Sequence, residues 1–292
     1  MIDLEQRRTG IGGSDVAAIL GLSPWATPYD IWAQKTGQAE AAEPESEPMR
    51  WGNLLEPVIR EEAGRRIVAL EPDAVVSGPQ FLRHATEDWM LANIDGTVDT
   101  SSGRAVLECK NVGTFAAGEW GEQLTDQIPD MYLCQVAWYC AVGGFSRAYA
   151  APLVGGNSLR LYHIARDEAV ERVLVDRVGE FWHRHVLTGT PPPSANIEDS
   201  NKRWRSETRG KRVQATASIC EAISEYRRLK ADIKASEAMI KRIQFDLAEH
   251  IRDGEALVDE AGKELLTYKL QKRAAYQVQA SEFRVMRIKE KQ

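Results

Sequence analysis

The segment MLANIDGTVDTSSGRAVLECKNV, residues 90–112, constrains the fold of this chain more than any other. Two runs of strand-forming residues flank Ser101, Ser102 and Gly103, the pattern of a β-hairpin. With the turn centred between Ser101 and Ser102, Asp95 faces Glu108 and Asp99 faces Arg104; a three-residue turn would shift this register by one. Side chains alternate faces along a strand, so Glu108 and Lys110 share one face while Leu107 and Cys109 point the other way.

Directly opposed carboxylates repel, and a carboxylate on a buried strand needs a partner or a metal. Oxygen ligands of this kind suit Mg²⁺ or Mn²⁺. A neighbouring lysine can hold a phosphate or polarise water. The pattern therefore points to metal-assisted phosphodiester hydrolysis. A solvated hairpin with scattered charges accounts for the same residues, and a bare Asp…Glu-x-Lys pattern recurs by chance. The apolar run Ala105-Val106-Leu107 and the few charges between Leu91 and Val98 favour the buried strand.

The chain has 292 residues, 43% of them hydrophobic, enough for one large domain or a domain with an appendage. No apolar run is long enough for a transmembrane helix, and the N-terminus, MIDLEQRRTG, lacks an apolar signal region. Cys109, Cys134, Cys140 and Cys220 follow no CxxC spacing and read as reduced thiols of a cytosolic protein. A net charge of −6 taken alone argues against a nucleic-acid partner. The charge is uneven, however: residues 1–199 hold 16 basic and 29 acidic residues, whereas residues 200–213 hold 6 basic and 1 acidic.

The N-terminal region is punctuated for helices. Gly10-Ile11-Gly12-Gly13 precedes Ser14, a good N-cap, and a helix running to Gly21. A second opens with Thr27 as N-cap and Pro28 at its first position, and ends near Gly37. Residues 38–48 read as an acidic, proline-broken loop. A longer helix is expected from Met49 to Ile67, kinked at Pro57. Strands follow around 74–84, 90–99 and 104–112, then a helix at 129–142. Strands at 145–153 and 158–164 are joined by Gly155-Gly156-Asn157, and a helix at 166–187 ends before Pro191-Pro192-Pro193. Farther on, Ile219, Tyr226, Ile233, Ile240 and Leu247 recur at seven-residue spacing over 215–252, the pattern of a coiled coil or of a long helix packed along a partner, with a second stripe that fails near Ser236 and Glu237. The chain closes with a hairpin turning at Ala261-Gly262 and a short helix after Ser281.

Several residues carry two readings each. Glu56 is either a third acid facing the Asp95–Glu108 patch or an i,i+4 partner of Arg60. Gln135, four residues before Tyr139 in the apolar segment LCQVAWYCAV, is either a ligand for water or phosphate or a satisfied core amide. Arg7, Arg8, the Gly10–Gly13 loop and Ser14 form either an anion site or an ordinary helix start. Trp204 among Lys202, Arg203, Arg205 and Arg209 is either a base-stacking residue or part of a basic linker. His183 and His185 point to different faces of a helix, and there is no Walker-type motif.

Taken in order, RRTGIGGSDVAAILGLSPWATPYDIWAQKTG, RWGNLLEPVIREEAG, NIDGTVD, ECK and QVAWY resemble the YqaJ-like viral recombinase family. That family includes the lambda-type alkaline exonucleases of the PD-(D/E)XK nuclease superfamily. Ile94 stands where the superfamily name has proline. The resemblance covers about residues 5–187. It implies an α/β core with a central mixed β-sheet flanked by helices, to which this chain adds a C-terminal coiled-coil helix and small β-hairpin. The expected organisation is a nuclease domain over 1–190, a proline-rich then basic linker over 191–213, and the appendage over 214–292.

The resemblance also implies an activity: Mg²⁺-dependent 5′→3′ degradation of one strand of linear duplex DNA, with Mn²⁺ as a substitute and two ions at the site. The 3′ single-stranded tails would serve recombination. Asp95, Glu108 and the Cys109 carbonyl would ligate metal, with Glu56 in support. Lys110 would orient the water, Gln135 and Tyr139 would correspond to the superfamily's QxxxY motif, and Arg8 and Ser14, with Arg7, would hold the 5′-phosphate. The implied partners are DNA ends, a single-strand annealing protein and further copies of the chain, as a trimer, in the cytoplasm of a bacterial host carrying a phage or prophage. Two other functions fit the residues: a structure- or sequence-specific endonuclease, and a DNA-binding assembly protein with little nuclease activity.

Overall fold

In the computed structural model, which describes residues 4–39 and 46–272, four helices precede the first strand: α1 (Leu4–Arg8), α2 (Gly13–Ile19), α3 (Pro28–Lys35) and α4 (Glu47–Leu70). The α3 start follows the sequence signals. Thr27 Oγ1 accepts from the Asp30 N–H at 3.2 Å, Asp30 Oδ2 accepts from the Thr27 N–H at 3.0 Å, and Pro28 occupies the first position. The α2 start differs from expectation. Gly12 is the N-cap and Ser14 lies inside the first turn, because Asp15 Oδ2 reaches back to the Gly12 N–H at 2.9 Å. An acceptor three residues along ties down the start, so no hydroxyl cap is needed. Helix α4 begins two residues earlier than expected, capped by Ser46, and continues through Pro57 to Leu70. Residues 40–45, at the centre of the acidic loop, and the short helix expected after Ser281 lie outside the described residues.

The expected strands at 74–84 and 90–99 are each split. β1 (Val75–Ser77) and β2 (Gln80–Arg83) part at Gly78-Pro79 and join different sheets; β3 (Leu91–Ile94) and β4 (Gly96–Thr100) part at Asp95. β5 (Gly103–Val112) completes the hairpin in the expected register, with Gly96 opposite Leu107 and Asp99 opposite Arg104, whose Nε lies 3.3 Å from Asp99 Oδ1. After a 3-10 segment at Thr114–Glu119 come α5 (Asp130–Gly143), β6 (Arg147–Val154), β7 (Ser158–Leu159), β8 (Tyr162–Ala165) and α6 (Glu168–Phe181), which continues as a π turn over Trp182–Val186. β6 lies parallel to β5, and the main sheet has the order β1-β4-β5-β6-β7, with β8 also on β6; β2 and β3 pair separately. The architecture is thus a mixed-sheet α/β fold.

The sheet divides two cores. Val106, Ala148 and Ala150 pack with Val16, Val136, Trp138 and Leu174 of α2, α5 and α6. On the other face, Leu107, Cys109, Tyr149 and Ala151 pack with Ile59, Ala63 and Ile67 of α4. Glu108 lies between Leu107 and Cys109 and therefore points to the α5 side. The segment Gly10–Gly12 runs beside β3, with the Ile11 N–H on the Trp89 carbonyl at 2.7 Å and the Leu91 N–H on the Ile11 carbonyl at 2.9 Å. Glycine at position 10 permits this approach, since a Cβ there would sit 2.2 Å from the Trp89 oxygen.

The stretch read as a linker is partly structured. α7 (Ile197–Arg203) carries the fully buried Asp199, which accepts from Thr27 Oγ1 at 2.9 Å and from the Ala195 N–H at 2.9 Å, and Lys202 Nζ lies 2.5 Å from Asp30 Oδ1. These ties to α3 carry the first compact unit to Arg203, beyond the expected boundary at 190. The second unit begins at Trp204 and contains α8 (Ala217–Ile251), a helix of 35 residues capped by Thr216, and the hairpin of β9 (Ala256–Val258) and β10 (Glu264–Thr267), with Gly262 at φ +81° in its turn. Among the described residues, no helix is long and apolar enough to cross a membrane.

Candidate active site

The break between β3 and β4 turns Asp95 out of the ladder, and its Oδ2 accepts the Cys109 N–H of β5 at 2.7 Å. That bond holds the Asp95 carboxylate beside Glu108. Glu56 pairs with Arg60 and also lines the cleft. Its Oε1 pairs with Arg60 Nη1 at 3.1 Å, and the same Arg60 nitrogen donates to the Asp95 carbonyl at 3.2 Å. Arg60 thus ties α4 to the strand break, and Glu56 lines the same cleft as Asp95.

Glu108 is 2% exposed. Its Oε1 receives Gln135 Nε2 at 2.7 Å and Lys110 Nζ at 2.5 Å. Its Oε2 is buried and has no protein partner. Gln135 Nε2 also donates to the Tyr139 hydroxyl at 2.7 Å, so the polar residues of α5 form one network on the sheet. The Lys110 ammonium lies 5.0 Å from the centroid of the Tyr132 ring, which stacks on Trp120 at 5.3 Å.

Electrostatics follow from this packing. Burial, then the neighbouring Glu108 charge, pushes the Asp95 carboxyl well above the usual range. Burial also raises Glu108, against the pull of Lys110. Burial disfavours the Lys110 ammonium, but Glu108 and Asp95 together outweigh it and the pKa rises. Two elevated carboxyls side by side form a site short of positive charge. A hard divalent cation fits: Asp95 and Glu108 supply oxygens, and Glu108 Oε2 receives no N–H donor. Among the described residues, no three His, Cys, Asp or Glu side chains converge as a closed metal cage.

A cleft of roughly 350 Å³ joins these groups. Besides Glu56, Asp95, Glu108, Lys110, Gln135 and Tyr139, it is lined by Arg7, Ser14 and Lys35, but not by Arg8. Of the two arginines proposed for phosphate, the structure brings only Arg7 to the cleft. The fit of α2 against α5 requires Gly13, where a Cβ would lie 2.4 Å from the Tyr139 ring and 3.1 Å from Gln135 Cγ.

Residues 4–146, which include every one of these side chains, match the YqaJ-like viral recombinase domain. The chain is 33% identical over 258 residues to the uncharacterized protein YqaJ of Bacillus subtilis (strain 168), covering 86% of this chain and 78% of that protein. The chain belongs to the YqaJ-like viral recombinase family. Solved structures similar to it include an alkaline exonuclease (LHK-Exo) from Laribacter hongkongensis, with 17% identity and a TM-score of 0.48 over 64% of this chain and 92% of that one. A phage-related exonuclease from Haemophilus somnus 129PT has 12% identity and a TM-score of 0.45 over 62% and 95%.

Two participants in the site of this YqaJ-like chain escaped the sequence reading. Lys35, at the end of α3, has its side chain 6% exposed; its Nζ lies 2.6 Å from Asp15 Oδ2 and donates to the Arg7 carbonyl at 2.8 Å. Nothing local in the sequence marks it, because its partners are distant in sequence. Tyr132, in the first turn of α5, has no spacing relation that links it to Lys110.

Proposed function

We propose that this chain is a divalent-metal-dependent exonuclease that degrades one strand of linear duplex DNA 5′→3′, leaving 3′ single-stranded tails for recombination. The observation that carries this reading is the buried, unpartnered Glu108 Oε2 beside Asp95 and Lys110. Asp95, Glu108 and the Cys109 carbonyl would hold Mg²⁺ or Mn²⁺, with Glu56 behind them; a second ion is the family expectation. The metal would supply Lewis-acid stabilisation of phosphoryl charge and ease deprotonation of the attacking water.

The chain's own residues would do the rest. Gln135 holds Glu108 by one oxygen and leaves the other for the cation. The Cys109 N–H fixes the Asp95 carboxylate. Lys110 offers ammonium protons to the attacking water or to the scissile phosphate. Water oxygen bonds to phosphorus, the bond from phosphorus to the 3′-oxygen breaks, and the products are a 5′-phosphate and a 3′-hydroxyl. Arg7 and Ser14, with Lys35 beside them, would receive the terminal 5′-phosphate, with Arg8 in a lesser role outside the cleft lining.

Linear duplexes carrying a 5′-phosphate or a 5′-hydroxyl and labelled at either end test the reading, with a circular duplex alongside. Release of label from 5′-phosphorylated ends, with the circle intact, supports it. Cutting of the circle would instead favour an endonuclease. Metal-independent DNA binding without cleavage would favour an assembly protein. Lys110→Ala should abolish cleavage and leave folding and DNA binding in place. A single-strand annealing partner and self-association through α8 complete the proposal.

A further inference from the structure

Besides the charge of Asp95, Lys110 has two contacts of different kinds, and they respond differently to a bound cation. The first is Glu108, whose Oε1 lies 2.5 Å from Nζ and already receives Gln135. A cation on the same carboxylate shares its charge, so its hold on the ammonium weakens when the site is loaded. The second neighbour is the ring face of Tyr132, 5.0 Å from Nζ to the centroid. An aromatic face attracts an ammonium through its quadrupole and has no affinity for a hard, oxygen-seeking cation. It also accepts no directed hydrogen bond at this site, which leaves the ammonium protons available to water or phosphate.

The ring is held in place from behind. Trp120, 4% exposed, stacks on Tyr132 with centroids 5.3 Å apart and planes 26° apart. Tyr162 of β8 packs on Trp120 at 5.3 Å, and its hydroxyl donates to the Gly121 carbonyl at 2.9 Å. Tyr132 is itself anchored in the first turn of α5, its N–H on the Pro129 carbonyl at 2.9 Å. The stack therefore runs from the core of the sheet to the ammonium.

We propose that Tyr132 is the positioning residue of Lys110: its ring face, braced by Trp120, holds the ammonium in the cleft independently of the Glu108 carboxylate. The kinetic consequence rests on the nuclease reading above; the placement of the ammonium does not. The ring, and not the hydroxyl, is the working part, so phenylalanine should replace tyrosine and an aliphatic residue should not.

Two measurements test this. In metal-free protein labelled with ¹³C,¹⁵N-lysine, the Lys110 side-chain signals are identified by their loss in Lys110→Arg. Its Cε protons should be displaced upfield by the ring in the wild type and in Tyr132→Phe, and should return to the ordinary lysine position in Tyr132→Met. An ordinary shift in the wild type overturns the proposal without any change at Tyr132. So does an unchanged upfield shift in Tyr132→Met.

On linear duplex DNA with Mg²⁺, Tyr132→Phe should keep kcat within about two-fold, while Tyr132→Met and Tyr132→Leu lose about ten-fold in kcat with KM little changed. An equal loss in Tyr132→Phe assigns the effect to the hydroxyl and overturns the proposal, as does wild-type kcat in both aliphatic variants. A wild-type protein that cuts no duplex defeats the nuclease reading, while the spectroscopic arm still decides the placement of Lys110.

Discussion

Gln135 donates to one oxygen of Glu108 at 2.7 Å and leaves the other buried without a partner. A carboxylate held this way is oriented but only half satisfied. Gln135→Ala frees Glu108 to rotate and leaves Lys110 as its sole side-chain partner at Oε1. The expected result is a loss of roughly ten- to one-hundred-fold in kcat on linear duplex DNA, comparable to losing a residue that orients a metal ligand, with DNA binding retained. A variant with unchanged turnover would show that the amide serves only the core.

Asp95 is where function and stability should conflict. Its carboxyl and that of Glu108 are both raised in the folded chain, chiefly by burial. Groups with raised carboxyl pKa values favour the fold most below the ordinary carboxylate range, and that contribution is lost as pH climbs through their folded values. At neutral pH the metal-free protein therefore carries a penalty from this pair. Asp95→Asn keeps an oxygen for the Cys109 N–H and removes one charge. It should raise metal-free stability at pH 7 by about 1 kcal/mol, or about 2–4 °C in Tm, while abolishing cleavage. Mg²⁺ should raise the wild-type Tm and leave the variant's unchanged. Melting curves from pH 4 to 8, with chelator and with MgCl₂, check both signs.

Gly12 and Gly13 should respond very differently to alanine. At Gly13 a Cβ would lie 2.4 Å from the Tyr139 ring, whereas at Gly12 the nearest atom is Asp15 Oδ2 at an ordinary 3.7 Å. Gly13→Ala must push α2 away from α5 or displace the Gln135–Tyr139 pair, at a cost of about 1–3 kcal/mol and with reduced turnover. Gly12→Ala should fold and cut nearly as the wild type does. Denaturant melts of the two variants side by side decide whether the glycines serve packing or a phosphate loop.

The parts of the site legible in the sequence were those set by local rules. Strand alternation and turn position gave the register that sets Gly96 opposite Leu107 and Asp99 opposite Arg104, because a two-residue turn fixes which residues oppose. The Thr27–Pro28 start of α3 was legible for the same reason: its cap is made within four residues. The breaks at Asp95 and at Gly78-Pro79 were not, since strand propensity runs through Asp95 and only tertiary pairing decides where a ladder stops. Lys35 and Tyr132 were hidden because their partners, Asp15 and Lys110, lie 20 and 22 residues away. Asp199 was hidden likewise. An aspartate after a proline run reads as loop until Thr27 and the Ala195 N–H close around it.

Helix α8 presents the last test. Ile219, Tyr226, Ile233, Ile240 and Leu247 recur every seven residues and are 52, 43, 50, 54 and 38% exposed in the single chain. Its polar side is laced by Arg228 with Glu225 and Asp232, and by Arg242 with Asp246 at 3.2 Å. Ion pairs of this kind, three and four residues apart, support the helix by only a few tenths of a kcal/mol each, so burial of the apolar seam would be the larger source of stabilisation. Self-association through this seam would bury it. Ile233→Glu with Ile240→Glu places two charges on the seam and, through self-repulsion, should convert the assembly to single chains and reduce helical ellipticity. Light scattering coupled to gel filtration measures the first effect and circular dichroism the second. A mass that is oligomeric and unchanged in the double variant would move the assembly contact to another surface.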